Sequence, residues 1–398
     1  MIIQVKTIQS IDAHAWDEYV HAHPRATLYH LSGWRNVIQK TYGHKTYYLM
    51  ALENGQQATT HYTQPSTNDK PRILGILPLI HLKHFLFGNS LISTPFFDLG
   101  GILADDDGIE KALLSEAIRV AQELKAKNIE LRHTHPLSWI NKSSKLKASR
   151  WNRNNGIPQG RQSSKCSPMG YQLSAISCFT RSHKVRMLLY LPASSEILMK
   201  SFKAKLRSQI KKPLKEGLGS KIGSVELLED FYDVFSINMR DLGSPVHSKK
   251  LMRNVLEEFT DESKIVMVHK DDQPLACSLV IGFKDTLENP WASTLREYSR
   301  LSPNMLLYWT MLEYACENGY ACFDFGRSSP DEGTYKFKEQ WGAKPLPLHW
   351  HYISLDGQPV DEETPEKSKF EIAIQYWQKL PVPITKIIGP TIRKHISL

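Results

Sequence analysis

Over the first 130 residues, apolar positions either alternate with polar ones or cluster in short runs at 46–53, 73–82 and 90–97. Each run is bounded by Gly, Pro or Asn, which is the pattern of β-strands. The period then changes: Ile109, Leu113, Ala117, Ile118, Ala121 and Leu124 recur at helical spacing across 108–127, and a short strand is expected at 129–132. The second half repeats this grammar. A strand at 185–191 leads into a basic helix at 194–216, a short strand at 225–228 and two helices near 229–240 and 248–259. A three-strand meander follows at 265–269, 275–283 and 292–298, with Asp271-Asp272-Gln273 in its first turn. The next helix has Ser302 as N-cap, Pro303 at its first position and Gly319 closing it, and a strand at 321–326 comes directly after. Meander, helix, strand therefore occurs twice, which predicts an α+β protein of mixed α/β character built from two similar domains. Their expected limits are 1–132 and 185–356, with a segment at 133–184 between them and a helix and tail at 357–398.

The intervening segment loses all periodicity and is dominated by Ser, Asn, Gly, Gln and basic residues, so it is expected to be a flexible insertion largely without regular structure. Charge changes the picture more than composition does. The chain of 398 residues has net charge +9, yet residues 131–215 hold 18 Lys and Arg against one acid, Glu196, so that stretch carries +17 and the remainder −8. Such polarity points to an anionic partner: nucleic acid, a nucleotide-linked substrate or an acidic membrane surface. The plainer alternative is a solvated insertion. Arg150-Trp151-Asn152-Arg153 interleaves base and aromatic in the manner of a weak nucleic-acid contact.

Five cysteines without a CxxC pair argue against a disulfide framework or a zinc ribbon and favour a reducing compartment. The longest apolar run, 73–82, is interrupted by Gly75, Pro78 and His81 and falls short of the ~20 residues a bilayer span needs. The N-terminal stretch lacks the pattern of a secretion signal, so a cytoplasmic location is expected. Close histidine pairs such as His133/His135 and His349/His351 lack Cys, Asp or Glu at ligand spacing, so no metal is expected. For the second pair, alternation with Trp350 and Tyr352 on a strand suffices.

Residues 298–352, YSRLSPNMLLYWTMLEYACENGYACFDFGRSSPDEGTYKFKEQWGAKPLPLHWHY, resemble the FemAB-related proteins associated with exosortase and PEP-CTERM systems. Residues 185–218, the stretch 33–51 and PFFDLGG agree with that resemblance, which covers most of the chain outside the insertion. The wider group resembles the peptidoglycan-bridge aminoacyltransferases, so the resemblance implies two tandem GNAT-like domains and transfer of an aminoacyl or acyl group onto a nucleotide- or lipid-linked envelope precursor. It also implies a setting in exopolysaccharide production coupled to exosortase-type sorting. Two departures stand out. The segment after 132 is longer than usual, and Pro213 interrupts the basic helix, which is expected to kink or end near Lys212.

Acyl transfer to an amine needs a bound donor, a deprotonated amine and support for the oxyanion, with no covalent nucleophile. The absence of GxSxG and HExxH suits that. Lys203, Arg207 and Lys211 fall at i, i+4 and i+8 on one helix face, and the resemblance makes Arg207 and Lys211 candidates for acceptor phosphate. Arg35 and Lys40 could add charge from the first domain. Asp324, between Phe323 and Phe325 on a strand, is the candidate to orient the nucleophile or to pair with Arg327. Lys336 and Lys338 share a face if their segment is extended and would serve the donor or the oxyanion. Tyr298 could bring a hydroxyl to the donor.

Where acyl-CoA-dependent GNAT enzymes carry a glycine-rich phosphate turn, this chain has Arg300-Leu301-Ser302-Pro303-Asn304-Met305, with the arginine, neither glycine, and one N–H removed by Pro303. Main-chain groups around Asn304 could still hold an anion. No tightly bound cofactor is expected. The expected donor is an aminoacyl-tRNA or another activated acyl carrier, with acetyl-CoA less favoured. Two rival readings are a non-catalytic scaffold on a degenerate transferase fold and an ordinary CoA-dependent N-acyltransferase. Ile-rich residues 381–398 with neighbouring Lys and Arg are expected to pack against the domain body, with peripheral contact at the inner membrane surface as the alternative.

Overall fold

The computed structural model describes residues 3–8, 12–53, 71–137, 162–165, 177–356 and 367–397. Its first half runs β1 (Ile3–Thr7), α1 (Ala13–Ala22), α2 (Gly33–Tyr42), β2 (Lys45–Thr46), β3 (Leu49–Glu53), β4 (Ile73–Leu77), β5 (Ile80–His84), β6 (Gly88–Ile92), β7 (Leu103–Ala104), α3 (Asp107–Glu123) and β8 (Asn128–His133). The run 73–82, expected as one strand, is two, because Pro78 has no N–H to give the ladder. Hydrogen bonds between Tyr47 and Leu79, in both directions, carry the pairing across that break. The sheet β1-β3-β4-β7 therefore bends into a second sheet that begins β2-β5-β6-β8. Helix α3 crosses between β6 and β8, which pair in parallel, and its N-cap Asp106 accepts from the N–H groups of Gly108 and Ile109.

The chain continues with β9 (Gln162–Lys165), β10 (Ser177–Arg181), β11 (Val185–Tyr190), α4 (Ser195–Ser201), α5 (Ala204–Lys215), β12 (Leu218–Gly223), α6 (Leu228–Asp241), α7 (Lys249–Glu258), β13 (Ser263–Lys270), β14 (Gln273–Phe283) and β15 (Thr286–Thr294). Then come α8 (Pro303–Glu317), β16 (Cys322–Ser328), α9 (Gly333–Gln340), β17 (Lys344–Pro347), β18 (His349–Ser354), α10 (Lys367–Gln378) and α11 (Val382–Arg393). The second-half sheet has the order β12-β13-β14-β15-β16-β11-β17. Helix α8 crosses between β15 and β16, its parallel pair. Meander, crossover helix and parallel strand thus recur, as the sequence pattern predicts.

One antiparallel ribbon stitches the halves together. Residues 177–181 pair with 350–354 in the first-half sheet, and residues 185–188 pair with 344–347 in the second. Leu348 N–H donates to the Lys184 carbonyl where the ribbon passes between the sheets. A strand at 177–181 thus falls inside the segment expected to lack structure, and β18, placed by sequence in the second domain, lies beside β8. Strand β9, which pairs with 177–181, falls in the same segment; residues 138–161, with the Arg150–Arg153 tetrad, and 166–176 are outside the described residues. An apolar core spans the halves, with Trp34 against Phe259 and Phe97 against Trp291.

Three local expectations are corrected. The basic helix 194–216 is two helices, broken at Phe202 rather than at Pro213: Phe202 is extended and turns its ring edge-on to Trp309 and Trp341. Pro213 sits in the last turn of α5, where one missing N–H is tolerated. Residues Val225–Leu227 form a 3-10 turn, and the strand lies just before it. Among the cysteines, Cys277, Cys316 and Cys322 are free thiols, whereas Cys178 is disulfide-bonded, against the expectation from cysteine number and spacing.

Candidate functional site

A cavity of about 370 Å3 opens where the second half's parallel strands part. Strands β15 and β16 stay in register only for Thr286–Cys322, Leu287–Phe323 and Glu288–Asp324. Beyond that point β15 carries an extra residue relative to β14, a bulge around Asn289-Pro290. A bulge twists its strand and re-aims the side chains beside it. Gly326 bends β16 at the same level, with φ +74°. Strand β11 has its own register shift between Arg186 and Leu188. Three irregular strands thus bring Glu288, Asp324 and Arg186 to one wall. The first half closes the opposite side with Tyr29, Phe96, Phe97 and Asp98.

Asp324 and Glu288 are both buried, each 3% exposed. Arg186 Nε donates to Asp324 Oδ2, and its Nη2 lies 3.4 Å from Glu288 Oε1. The other oxygen of Asp324 accepts from Gly326 N–H at 2.8 Å. Asp324 is therefore fully engaged, and Glu288 is the looser partner. Burial pushes the Glu288 carboxyl up to about 7; Arg186 opposes the rise, Asp324 reinforces it, and a hydrogen bond from Tyr29 offsets part of it. Burial works against the Arg186 charge too, but Asp324 and Glu288 outweigh it and hold its pKa above the ordinary value.

Lys338 is 7% exposed and donates to the carbonyls of Gly326 (3.1 Å) and Arg327 (2.7 Å). Burial brings its ammonium down to about 8, against the attraction of Asp324 and Asp98 and with the help of Arg327. Arg327 pairs with Asp98 of the first half at 3.2 Å, not with Asp324. Its guanidinium lies 5.3 Å from the Trp350 ring, which also carries Arg132 at 4.8 Å. A carboxyl near 7 and an ammonium near 8 thus line one cavity, a base and a cation that both change charge close to neutral pH.

Of the candidates read from sequence, Asp324, Lys338 and Arg327 line this cavity together. Lys336 does not. Its segment is helix α9 rather than an extended strand, so residues two apart point to different sides and Lys336 is exposed. The basic stripe also comes apart. Lys203 is the N-cap of α5, outside its helical turns, while Arg207 donates to the carbonyls of Lys200 and Phe202 at the end of α4. Lys211 is exposed, and none of the three lines the cavity. In the first half, Lys40 pairs with Glu258 across the domain boundary, and Arg35 lies on the same helix, outside the cavity lining. Asn304 accepts from Thr294 at the start of α8, where Ser302 is the N-cap residue without a side-chain cap. Tyr298 packs between the two cores.

Glu288, Arg186, Tyr29 and Asp98 escaped the sequence reading. The available signal for Glu288 was a lone acid two residues before a proline, between the buried Leu287 and Trp291. The Asn289-Pro290 that follows it reads as the end of a strand, so the continuation through a bulge stays hidden at the level of sequence.

Residues 200–339 match the model of an acetyltransferase (GNAT) domain. Among solved structures, the chain is similar to FemX, with a TM-score of 0.57 at 14% identity over 87% of this chain and 96% of that one. The fold is two tandem GNAT-like domains. The chain is also similar to a conserved protein of unknown function from Bacteroides thetaiotaomicron, with a TM-score of 0.50 at 10% identity over 89% of this chain and 100% of that one. No curated protein matches the sequence. Among the described residues no helix is long and apolar enough to cross a membrane, and no group of three or more His, Cys, Asp or Glu is placed to hold a metal ion.

Proposed function

We propose that this tandem GNAT-like protein is an acyltransferase that moves an aminoacyl or acyl group from an activated carrier onto an amine of a cell-envelope precursor. The observation that carries the reading is the pair of Glu288, near 7, and Lys338, near 8, in a cavity at the parting of β15 and β16, inside the segment that matches a GNAT acetyltransferase domain. The fold likeness to FemX supports it at the level of architecture. The envelope precursor, and the exosortase-linked setting within it, rest on the sequence resemblance.

Glu288 takes a proton from the acceptor ammonium, and the freed amine attacks the acyl carbonyl carbon. The new C–N bond forms as the bond to the carrier oxygen or sulfur breaks; of the two protons the nitrogen gives up, one passes through Glu288 to the departing atom and the other leaves to solvent. In this reading Lys338 and Arg327 supply positive charge to the carbonyl oxygen as it gathers charge. Asp324 holds Arg186 and, through it, the aim of Glu288. The donor is an aminoacyl-tRNA or another acyl carrier: the turn into α8 has no glycine, and Pro303 removes one of the N–H groups a coenzyme A pyrophosphate would use. Native mass spectrometry against a charged-tRNA pool, an acyl-CoA mixture and nucleotide-linked wall precursors tests this. One retained donor and one retained acceptor, followed by a mass gain of the acceptor on mixing, is the expected result. Retention of neither by the folded protein sinks the reading in favour of a scaffold.

A further inference from the structure

Four cations line the cavity, and three have their charge or protons met by the protein itself. Arg186 is held by Asp324 and Glu288, Arg327 by Asp98, and Lys338 by two carbonyls. The fourth, Arg393, is different. It is the last residue of α11, and its Nε donates to His247 Nε2 at 3.1 Å. That bond requires His247 Nε2 to be the unprotonated nitrogen, while Nδ1 meets the Tyr42 hydroxyl at 2.9 Å. Burial and the neighbouring guanidinium hold His247 well below its ordinary pKa, so it is neutral. Among the described residues no carboxylate pairs with Arg393. Burial pulls its own pKa down to about 10; Tyr42 opposes the fall, while Arg327 and Arg132 add repulsion. A guanidinium kept among other guanidinia without a counter-charge is costly unless a ligand supplies one.

We propose that Arg393 is the anion-binding residue of this cavity, and that the acceptor it takes carries a phosphate or carboxylate, held by the two terminal nitrogens of the guanidinium. A planar fork with Nε fixed to His247 presents both terminal nitrogens in the geometry that two oxygens of one anion match. This rests on the transferase reading only in calling the ligand an acceptor; binding without turnover is enough to test it, so the two can fail separately. Calorimetric titration of the full chain with inorganic pyrophosphate and with succinate distinguishes the phosphate and carboxylate sources. One should bind, with at least tenfold weaker affinity in Arg393→Gln and an intermediate loss in Arg393→Lys, which keeps the charge but not the fork. Should the variants not fold, phenylglyoxal labelling of the wild-type chain with peptide mapping provides the same reading, since the bound anion should slow modification at Arg393. Failure of both anions to bind, unchanged affinity in Arg393→Gln, or labelling of Arg393 that neither anion slows overturns the proposal.

A separate observation concerns the outer surface. The β5–β6 turn holds Phe85 88% exposed, Leu86 72% and Phe87 47%, and Ile387 on α11 is 73% exposed. The turn meets the chain just beyond α11: the His84 and His395 rings are 4.2 Å apart, and Phe87 stacks on His395 at 6.4 Å. Residues 72–97 and 372–397 contain no Asp or Glu, while Lys83, Lys379 and Lys394 lie among them and Lys386 is paired with Asp233. We infer that this face docks on an anionic lipid bilayer, with the aromatic turn inserted among the acyl chains and the lysines at the headgroups. Sedimentation with phosphatidylglycerol vesicles should pellet the wild-type chain, whereas Phe85→Ser combined with Leu86→Ser and Phe87→Ser should abolish pelleting without altering the fold. A wild-type chain left in the supernatant, or a triple variant that still pellets, refutes the docking.

Discussion

The two halves part their parallel strands at the same place and do opposite things there. In the first half the ladder ends at Ile92–Glu130, in the second at Glu288–Asp324, so each carries an acid at the fork. In the first half the gap is sewn shut. Ser93 N–H donates to the Glu130 carbonyl, Arg132 N–H donates to Ser93 Oγ, and Arg132 joins the Glu130 carboxylate, the Phe97 carbonyl and Ser397. Thr94 and Phe96 take left-handed backbone, φ 46° and 79°, to make that closure. In the second half β15 bulges away and leaves a cavity, whose far wall is built from the residues that close the first half, Phe96 to Leu99. One copy of the fold has become scaffold for the other. The chemistry of an acid at a fork depends on whether its partner is fixed in a dry core or faces a cavity.

That contrast is sharpest in paired variants. Glu130→Gln leaves the Arg132 guanidinium, 1% exposed, without its counter-charge, and breaking such a buried pair from one side costs about 3–5 kcal/mol. Urea unfolding should show that loss while the surviving folded protein turns over normally. Glu288→Gln should do the reverse, lowering kcat/KM about 100-fold, or about 2.7 kcal/mol of barrier, in a protein that still folds. Stability should also respond to pH through this residue. Because the folded state raises the Glu288 pKa from 4.5 to about 7, it holds the proton more tightly than the unfolded chain across that interval. Raising pH through the interval therefore removes stability from the wild type relative to Glu288→Gln. Equal slopes in the two proteins would deny the open fork its perturbed acid.

Activity should follow a bell between the two cavity groups. The acid limb reports loss of the Glu288 carboxylate below about 7, and the alkaline limb loss of the Lys338 ammonium above about 8. Lys338→Arg keeps the positive charge through the alkaline range. It should recover roughly tenfold of relative activity at pH 9, measured against each protein's own maximum. An alkaline limb that stays in place would assign it to the acceptor amine or another group.

The pieces of this contrast were unevenly legible in the sequence. Period alone marked both meanders, both crossover helices and Asp324, since a single acid between Phe323 and Phe325 must face away from both rings. The fork itself was hidden, because Glu288-Asn289-Pro290 reads as the end of a strand. Only the register shift against β14 shows the strand continuing through a bulge. The ribbon was equally hidden, since β18 finds β10 across about 170 residues of sequence and β8 across about 220, and no local pattern encodes either choice.

Arg207 supplies the smallest test and the clearest lesson about periodic charge. Spacing of four suggested a stripe with Lys203 and Lys211, but the chain breaks at Phe202, whose ring is drawn into the core beside Trp309 and Trp341. The break leaves the last carbonyls of α4 without helical partners, and Arg207 Nη1 reaches back to two of them, at 3.3 Å to Lys200 and 2.8 Å to Phe202. Its task is to cap one helix from the next. Arg207→Ala should then cost about 1 kcal/mol of stability, the worth of a hydrogen bond to a cationic donor at a partly exposed site. It should leave acceptor affinity and its salt dependence unchanged. A variant of wild-type stability that binds acceptor more weakly and with a shallower salt slope would return Arg207 to the phosphate role and move the acceptor site from the open fork to the outer face of α5.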